Sequence, residues 1–187
     1  MTDKKLTRCF VALDLPRRVI NEIREIQKLL KKRISFNCKY TEPENLHLTL
    51  KFLGEISEEQ IDEVKKRLSE ITMNDFEVGL GKVGSFESRF SYIIWVELNN
   101  SFVRELQKKI DDKLKNLFQS EFRFMGHITI VRARKMTNSK ELKQYLKTIK
   151  PRKLGIKIDR FFLKKSDLKE TGPEYSDLEV YELSNKP

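Results

Sequence analysis

Apolar residues in the first part of the chain follow two different periods. Residues 8–15 are rich in apolar and β-favouring side chains and predict a strand, and Pro16 then stands where a helix can begin. Between Pro16 and about Lys32, apolar residues recur at steps of three and four and form one stripe along a helix: Val19, Ile20, Ile23, Ile26, Leu29 and Leu30. A second strand is predicted over residues 46–53, and residues 57–60 (Ser-Glu-Glu-Gln) form a capping box for a second helix. The chain therefore begins strand, helix, strand, helix.

The remaining elements repeat this mixture. Two predicted strands, residues 76–86 and 92–98, flank a polar segment and indicate a long hairpin that completes the first half of the chain. The later pattern predicts helices over residues 101–117 and 139–149 and strands over residues 126–132, 154–163 and 178–183. We therefore predict an α+β fold in which residues 1–187 form one domain of two pseudo-symmetric lobes. Two antiparallel sheets would face a central cleft, with helices packed outside, and clefts between lobes are common ligand sites.

Composition narrows the classes of function. Lys and Arg number 38 against 28 Asp and Glu, and the net charge of +10 favours a polyanionic partner such as nucleic acid or an anionic membrane surface. A highly charged surface without such a partner is the alternative. No stretch approaches the roughly 20 apolar residues that span a bilayer, and the start is not a secretory apolar block, so we expect a cytoplasmic protein. Cys9 and Cys38 lack the spacing of a zinc site or a disulfide framework and are expected to be reduced thiols.

The chain has two histidines, and both begin the same kind of tetrapeptide. The first is His47-Leu48-Thr49-Leu50 and the second is His127-Ile128-Thr129-Ile130. Because side chains alternate across a strand, each His and Thr point to one face while the aliphatic residues point to the other. If the two lobes are related by an approximate twofold axis, both polar faces converge on one cleft. Two imidazoles and two hydroxyls would then surround a space that suits a phosphate.

These residue types support acid–base chemistry on a phosphate ester. An imidazole titrates near neutral pH, so one histidine can take a proton from a nucleophile while the other gives one to a leaving oxygen. The hydroxyls of Thr49 and Thr129 can donate to nonbridging phosphate oxygens. This scheme needs no metal. Two alternatives are histidines that only pack in a core, and a structural zinc site, for which two histidines supply too few ligands.

Longer blocks of sequence resemble a known family. They are Arg8-Cys9-Phe10-Val11-Ala12-Leu13, the run Glu44-Asn45-Leu46-His47-Leu48-Thr49-Leu50-Lys51-Phe52-Leu53-Gly54-Glu55, and Gly126-His127-Ile128-Thr129-Ile130-Val131-Arg132. The chain resembles the two-histidine phosphoesterases, specifically the RNA 2′,3′-cyclic phosphodiesterases, also called 2′-5′ RNA ligases. Two departures are visible. Gly126 stands where the family usually has proline, and glycine is expected to loosen the approach to the second histidine. Residues 40–43 (Tyr-Thr-Glu-Pro) differ from a tryptophan-containing segment that many members carry.

The resemblance implies an activity and assigns roles. It implies hydrolysis of an RNA 2′,3′-cyclic phosphate to a 2′-phosphate without metal or other cofactor, and ATP-independent 2′-5′ ligation as the reverse type of reaction. His127 would be the base on the nucleophile and His47 the acid on the leaving 3′ oxygen. The expected partner is an RNA with a cyclic phosphate end, with tRNA fragments among the candidates. We expect no membrane partner, and we expect a monomer because one chain holds both motifs.

Three further residues are candidates for binding the substrate. Phe52 lies five residues after His47, and Arg132 lies five residues after His127. A phenyl ring can stack on a base and a guanidinium can bind phosphate, so we predict base stacking by Phe52 and phosphate binding by Arg132. A strict strand would send both to the face opposite the histidines, so the prediction requires twist, a bulge or the end of the sheet. Phe10 is a second base-stacking candidate, and core packing is the alternative for both phenylalanines.

Two other functions remain open on the sequence alone. A basic RNA-binding module would keep the charge and use the histidines only for packing or hydrogen bonding. The same chemistry could also act on another cyclic phosphate, such as ADP-ribose cyclic phosphate or a cyclic nucleotide. Turnover without metal and loss of activity on changing either histidine would distinguish an enzyme from a binding module.

Overall fold

The described part of the chain forms nine strands and four α-helices. A computed structural model describes residues 6–34, 37–134, 139–170 and 172–184. The helices are α1 (Arg17–Lys31), α2 (Glu58–Ser69), α3 (Ser101–Leu114) and α4 (Ser139–Thr148). The strands are β1 (Thr7–Asp14), β2 (Cys38–Tyr40), β3 (His47–Ile56), β4 (Phe76–Glu87), β5 (Tyr92–Leu98), β6 (His127–Ala133), β7 (Gly155–Ile158), β8 (Arg160–Lys169) and β9 (Gly172–Glu182), and a short 3-10 helix spans Pro43–Asn45. The α+β class predicted from the sequence is confirmed.

The helices form where the hydrophobic period predicts them. In α1 the stripe of apolar side chains is buried at Val19, Ile23, Ile26 and Leu30, whereas Leu29 is exposed. The capping box at the start of α2 is present, because the Gln60 backbone N–H donates to Ser57 Oγ and the Ser57 N–H donates to Gln60 Oε1. None of the helices in the described part of the chain is long and apolar enough to cross a membrane.

All strand pairs in these residues are antiparallel, and they form one continuous path in the order β7-β4-β5-β6-β3-β1-β8-β9, with β2 paired to β6. The two histidine strands meet at the centre, where Leu48 pairs with Ile128. The prediction of two separate sheets is therefore corrected to one sheet. The β4–β5 hairpin, predicted to complete the first half, pairs with β6, and the β8–β9 hairpin pairs with β1. Two pseudo-symmetric lobes stay a prediction.

Both histidine strands carry a bulge at the same place. From the histidine onward, β3 and β6 have the same burial sequence, in which the fourth and fifth residues are both buried and the sixth is exposed. The pairing register of β3 with β1 skips Leu50, and that of β6 with β5 skips Ile130. An extra residue reverses the side-chain alternation beyond it. Phe52 and Arg132 therefore return to the face of the histidines.

Three other elements differ from what the sequence predicted. Strand β2 was not predicted, because three residues are too few to show a period. The strand predicted over residues 154–163 is two strands, β7 and β8, which follow each other at Asp159 and pair with opposite ends of the sheet. Strand β9 begins at Gly172 rather than near residue 178, because its first residues (Gly-Pro-Glu-Tyr-Ser-Asp) are mostly polar and show no hydrophobic period.

Candidate active site

The two imidazoles are held in the same way. His47 Nδ1 lies 2.8 Å from the backbone oxygen of Asn45, and His127 Nδ1 lies 2.7 Å from the backbone oxygen of Met125. A carbonyl oxygen only accepts, so each Nδ1 must carry a hydrogen. This contact fixes the tautomer and leaves each Nε2 as the atom that can gain or lose a proton. In each motif the anchoring carbonyl lies two residues before the histidine.

The threonine of the first motif contacts its histidine directly. His47 Nε2 lies 3.0 Å from Thr49 Oγ1. When the imidazole is neutral, Nε2 can only accept, so the hydroxyl donates to it; when the imidazole is charged, Nε2–H donates to the hydroxyl. Thr49 therefore contacts the atom at which a proton would move.

One cavity of about 200 Å³ brings both motifs together. His47, Thr49, His127, Thr129 and Arg132 all line it. The five residues that the sequence places in two distant tetrapeptides and at position 132 therefore share one space. The remaining walls come from the segment before β3 and from β9: Lys39, Tyr40, Thr41, Glu42, Asn45, Pro173 and Tyr175.

Burial is the main influence on the titration of both histidines. It lowers the pKa of His47 below its ordinary value, and the Asn45 carbonyl and the Asp14 carboxylate oppose this by favouring the charged ring. Burial also lowers the pKa of His127, opposed by the Met125 carbonyl. The guanidinium of Arg132 lowers the pKa of both rings further. Both imidazoles therefore favour the neutral form when the site is empty, and a bound anion would shift them toward the charged form.

Aromatic rings enclose the two histidines. The His47 ring lies 4.9 Å from Phe10 and 5.2 Å from Tyr175, measured between ring centroids. The His127 ring lies 5.0 Å from Phe86, edge to face, and 6.4 Å from Trp95. Edge-to-face contacts of this kind fix ring orientation. The apolar rings also account for the desolvation of the imidazoles.

The two phenylalanines predicted to stack on bases lie in different environments. Phe10 is only 2% exposed and packs against His47 and Tyr175, although it also lines a cavity beside His47. Base stacking by Phe10 stays a prediction, with packing against His47 as the alternative. Phe52 is 53% exposed, and the guanidinium of Arg8 lies 4.9 Å from the centre of its ring. Base stacking by Phe52 stays a prediction.

Metal ligands are sparse in the described residues. Among residues 6–34, 37–134, 139–170 and 172–184, no group of three or more His, Cys, Asp or Glu side chains could hold a metal ion. The carboxylates near His47 are paired with a lysine. Lys164 donates to Asp14 at 3.0 Å and to Asp177 at 2.5 Å, next to the His47 side of the site.

Comparisons with known proteins identify the family. The model of the LigT-like phosphoesterases matches residues 13–95. An RNA 2′,3′-cyclic phosphodiesterase of Methanocaldococcus jannaschii is 34% identical over 171 residues, covering 90% of this chain and 96% of that protein. The chain belongs to this phosphoesterase family. A second RNA 2′,3′-cyclic phosphodiesterase, from Archaeoglobus fulgidus, is 34% identical and covers 94% of this chain and 99% of its own length.

The fold of this phosphoesterase also matches solved structures. LigT of E. coli in its apo form superposes with a TM-score of 0.78 at 22% identity, covering 97% of this chain and 99% of that chain. At this identity the likeness concerns the fold. It supports the mixed α/β architecture with an antiparallel sheet described above.

Several residues of the phosphoesterase site are not evident from its sequence. Tyr175 and Pro173 come from the polar start of β9, and Asn45 Nδ2 donates to the Pro173 oxygen at 3.0 Å, which holds that strand against the site. Gln27 on α1 is 7% exposed and donates to the backbone oxygens of Thr41, at 2.9 Å, and Ile130, at 3.0 Å. Because Ile130 is the bulge residue of β6, Gln27 supports the bend that turns Arg132 into the cavity.

A signal for Gln27 was present in the sequence. Gln27 precedes His47 by the same interval as Gln107 precedes His127, since the numbers in each pair differ by 20. Gln107 on α3 is also buried. A buried glutamine therefore stands at the same distance in sequence before each histidine motif.

Proposed function

We propose that this phosphoesterase hydrolyses RNA 2′,3′-cyclic phosphate ends to 2′-phosphates, with His47 and His127 as a general acid and base and without a metal ion. The observation that carries the proposal is the matched anchoring of the two imidazoles. Both Nδ1 atoms donate to backbone carbonyls, so both Nε2 atoms are available for proton transfer beside one cavity. The names of the relatives supply the substrate class.

The proposed reaction is an in-line displacement at phosphorus. His127 Nε2 takes a proton from a water molecule, whose oxygen forms the new bond to phosphorus. The bond from phosphorus to O3′ breaks, and His47 Nε2–H gives its proton to O3′. The ester to O2′ remains, so the product is a 2′-phosphate. Charge builds on the nonbridging oxygens in between, where Thr49, Thr129 and Arg132 can donate hydrogen bonds.

The roles of the two histidines follow the family resemblance, with His47 as the acid and His127 as the base. At His47 the carboxylate of Asp14 favours the charged ring, and the cations Lys164 and Arg132 oppose it. At His127 the guanidinium of Arg132 favours the neutral ring that a base requires.

Ligation follows from the same mechanism. If the 5′-hydroxyl of a second RNA replaces water, the product is a 2′-5′ phosphodiester, and the cyclic phosphate supplies the energy without ATP. Binding of RNA agrees with the net charge of +10 and with Arg8, Phe52 and Arg132 beside the histidines. A cytoplasmic location, a monomeric state and tRNA fragments as substrates stay predictions.

A panel of cyclic phosphates tests the proposal. The enzyme is treated with a chelator and incubated with an RNA that ends in a 2′,3′-cyclic phosphate, with an ADP-ribose cyclic phosphate and with a 3′,5′-cyclic nucleotide. We expect turnover of the RNA at the highest kcat/KM. A higher kcat/KM for one of the other two compounds would contradict RNA as the preferred substrate. Salt-sensitive RNA binding without any turnover would contradict the enzyme and favour an RNA-binding module.

A further inference from the structure

The proposed hydrolysis leaves a second cavity unused. This cavity, of about 310 Å³, is lined by His127, Met125, Phe86 and Phe52 and by Arg123 from the segment between α3 and β6. It shares Thr49 and His127 with the first cavity. A third cavity shares His47, Tyr175 and Arg132 with the first, and it has Thr49 and Phe52 in common with the second. His127 borders the second cavity and His47 borders the third, so each histidine adjoins a different extension of the site.

The walls of the second cavity are suited to a nucleoside. Phe52 is 53% exposed and Phe86 is 39% exposed. Because burial of apolar surface is favourable, a ligand that covered these two rings would be stabilised by the contact. The centroids of the Phe86 and His127 rings lie 5.0 Å apart in an edge-to-face arrangement. This contact fixes the position of Phe86 relative to the proposed catalytic base, His127. Exposed aromatic faces stack on unpaired nucleobases, and an arginine beside them binds phosphate. The exposed Arg123 supplies that cation.

A buried ion pair holds the wall that carries Arg123. Lys51 is 4% exposed, pairs with Asp111 of α3 and donates to the backbone oxygen of Gln119 at 2.8 Å. The other Asp111 oxygen accepts from the Glu121 N–H at 3.0 Å. Burying such a pair costs desolvation and adds little stability by itself. Its clear effect is to fix the segment that ends at Met125, whose carbonyl anchors His127.

Stereochemistry decides which group this cavity receives. In an in-line displacement the nucleophile and the leaving oxygen are on opposite sides of phosphorus. The leaving O3′ belongs to the terminal ribose of the cyclic phosphate, on the side of His47, so the nucleophile enters on the side of His127. We propose that the second cavity binds the nucleoside that carries the attacking 5′-hydroxyl in ligation. This inference rests on the proposed function.

The ligation step balances as follows. The 5′-hydroxyl gives its proton to His127 Nε2 as the bond between O5′ and phosphorus forms. The bond between phosphorus and O3′ breaks, and O3′ takes the proton of His47. No oxidant, reductant or nucleoside triphosphate takes part.

The test is a competition between water and an acceptor RNA. A donor RNA with a 2′,3′-cyclic phosphate is incubated with rising concentrations of an RNA bearing a 5′-hydroxyl, and ligated and hydrolysed products are resolved. Wild type is compared with Phe86→Leu and Arg123→Ala, and with Arg89→Ala as a matched exposed arginine outside the cavity. The quantity compared is the acceptor concentration at which ligated and hydrolysed products form in equal amounts. We expect it to rise about tenfold in Phe86→Leu and Arg123→Ala and to match wild type in Arg89→Ala.

The outcomes separate the two proposals. The ratio of products is measured within each sample, so a variant that is partly unfolded still reports it. Parallel loss of ligation and hydrolysis, an unchanged ratio, or hydrolysis without ligation at any acceptor concentration would overturn the acceptor cavity and leave the proposed hydrolysis standing. Absence of both products with wild-type enzyme would instead overturn the proposed function itself.

Discussion

The imidazoles of His47 and His127 have equivalent anchors but different electrostatic surroundings. Each Nδ1 donates to a carbonyl two residues earlier. Burial lowers the pKa of both rings, and the Asp14 carboxylate partly offsets this at His47. In the empty site both rings titrate below the ordinary value of 6.5, whereas a bound phosphate would favour their charged forms.

A pH profile tests the titration of the two rings. The base fails when His127 is protonated, which removes activity at low pH, and the acid fails when His47 loses its proton, which removes activity at high pH. Because burial lowers both pKa values, we expect the bell of kcat/KM, which reports the free enzyme, to be centred below pH 6.5. The bell of kcat reports the enzyme with bound substrate, whose phosphate raises the pKa of both imidazoles, so it should be centred at a higher pH than the bell of kcat/KM. A kcat/KM that keeps rising above about pH 8 would contradict two histidines as the titrating groups.

At the scale of elements, the bulges in β3 and β6 determine which side chains enter the site. The sequence predicted the histidine strands, because aliphatic residues alternate with His and Thr. It did not predict the bulges, because a bulge depends on how many residues the neighbouring strand offers and on which backbone groups find partners. One donor to the Ile130 oxygen is the side chain of Gln27, which lies on a helix distant in sequence. The sequence hypothesis therefore required Phe52 and Arg132 on the histidine face, but only the paired strands explain how they reach it.

Gln27 and Gln107, which precede the two histidines by the same number of residues, provide a matched pair of variants. Gln27→Leu removes the hydrogen bonds to the Thr41 and Ile130 oxygens, of which the Ile130 oxygen still accepts from the Thr41 N–H at 3.0 Å. From the loss of two hydrogen bonds we expect the free energy of unfolding to fall by about 1–3 kcal/mol. In Gln107, Nε2 is buried and donates to none of the described residues, so Gln107→Leu should be close to neutral. Urea denaturation measures both. We also expect a higher KM only for Gln27→Leu, because its bulge directs Arg132. Equal destabilisation by the two changes would contradict this assignment.

The segment just before β6 is also constrained. Gly126 stands where the family usually has proline, and the flexibility of glycine predicts a looser approach to His127. The structure shows a close approach instead, because a Cβ on Gly126 would overlap the Leu98 oxygen. The Gly126 oxygen in turn accepts from the Leu98 N–H at 3.1 Å. Glycine here lets β5 lie against the segment that holds His127.

At the scale of the whole molecule, the sequence predicted the elements better than their partners. Hydrophobic periods located the four helices described and most strands, because each period is local. Pairing between distant strands is not local. The sequence therefore placed the hairpin β4–β5 in the first half of the chain, although it pairs with β6, and it predicted two sheets where the described strands form one. This pairing determines which aromatic rings reach the site. The β4–β5 hairpin adjoins β6 and its outer strand carries Phe86 to His127, whereas the β8–β9 hairpin adjoins β1 and its outer strand carries Tyr175 to His47.

The most direct test of the two-histidine mechanism resolves the products of one RNA with three proteins. An RNA ending in a 2′,3′-cyclic phosphate is incubated in chelator with wild type, His47→Ala and His127→Ala, and 2′-phosphate is separated from 3′-phosphate. We predict that wild type forms only the 2′-phosphate and that each variant loses about 10²–10⁴-fold in rate while keeping the wild-type melting behaviour. Substantial turnover by either variant, a 3′-phosphate product, or a need for added metal would contradict this mechanism.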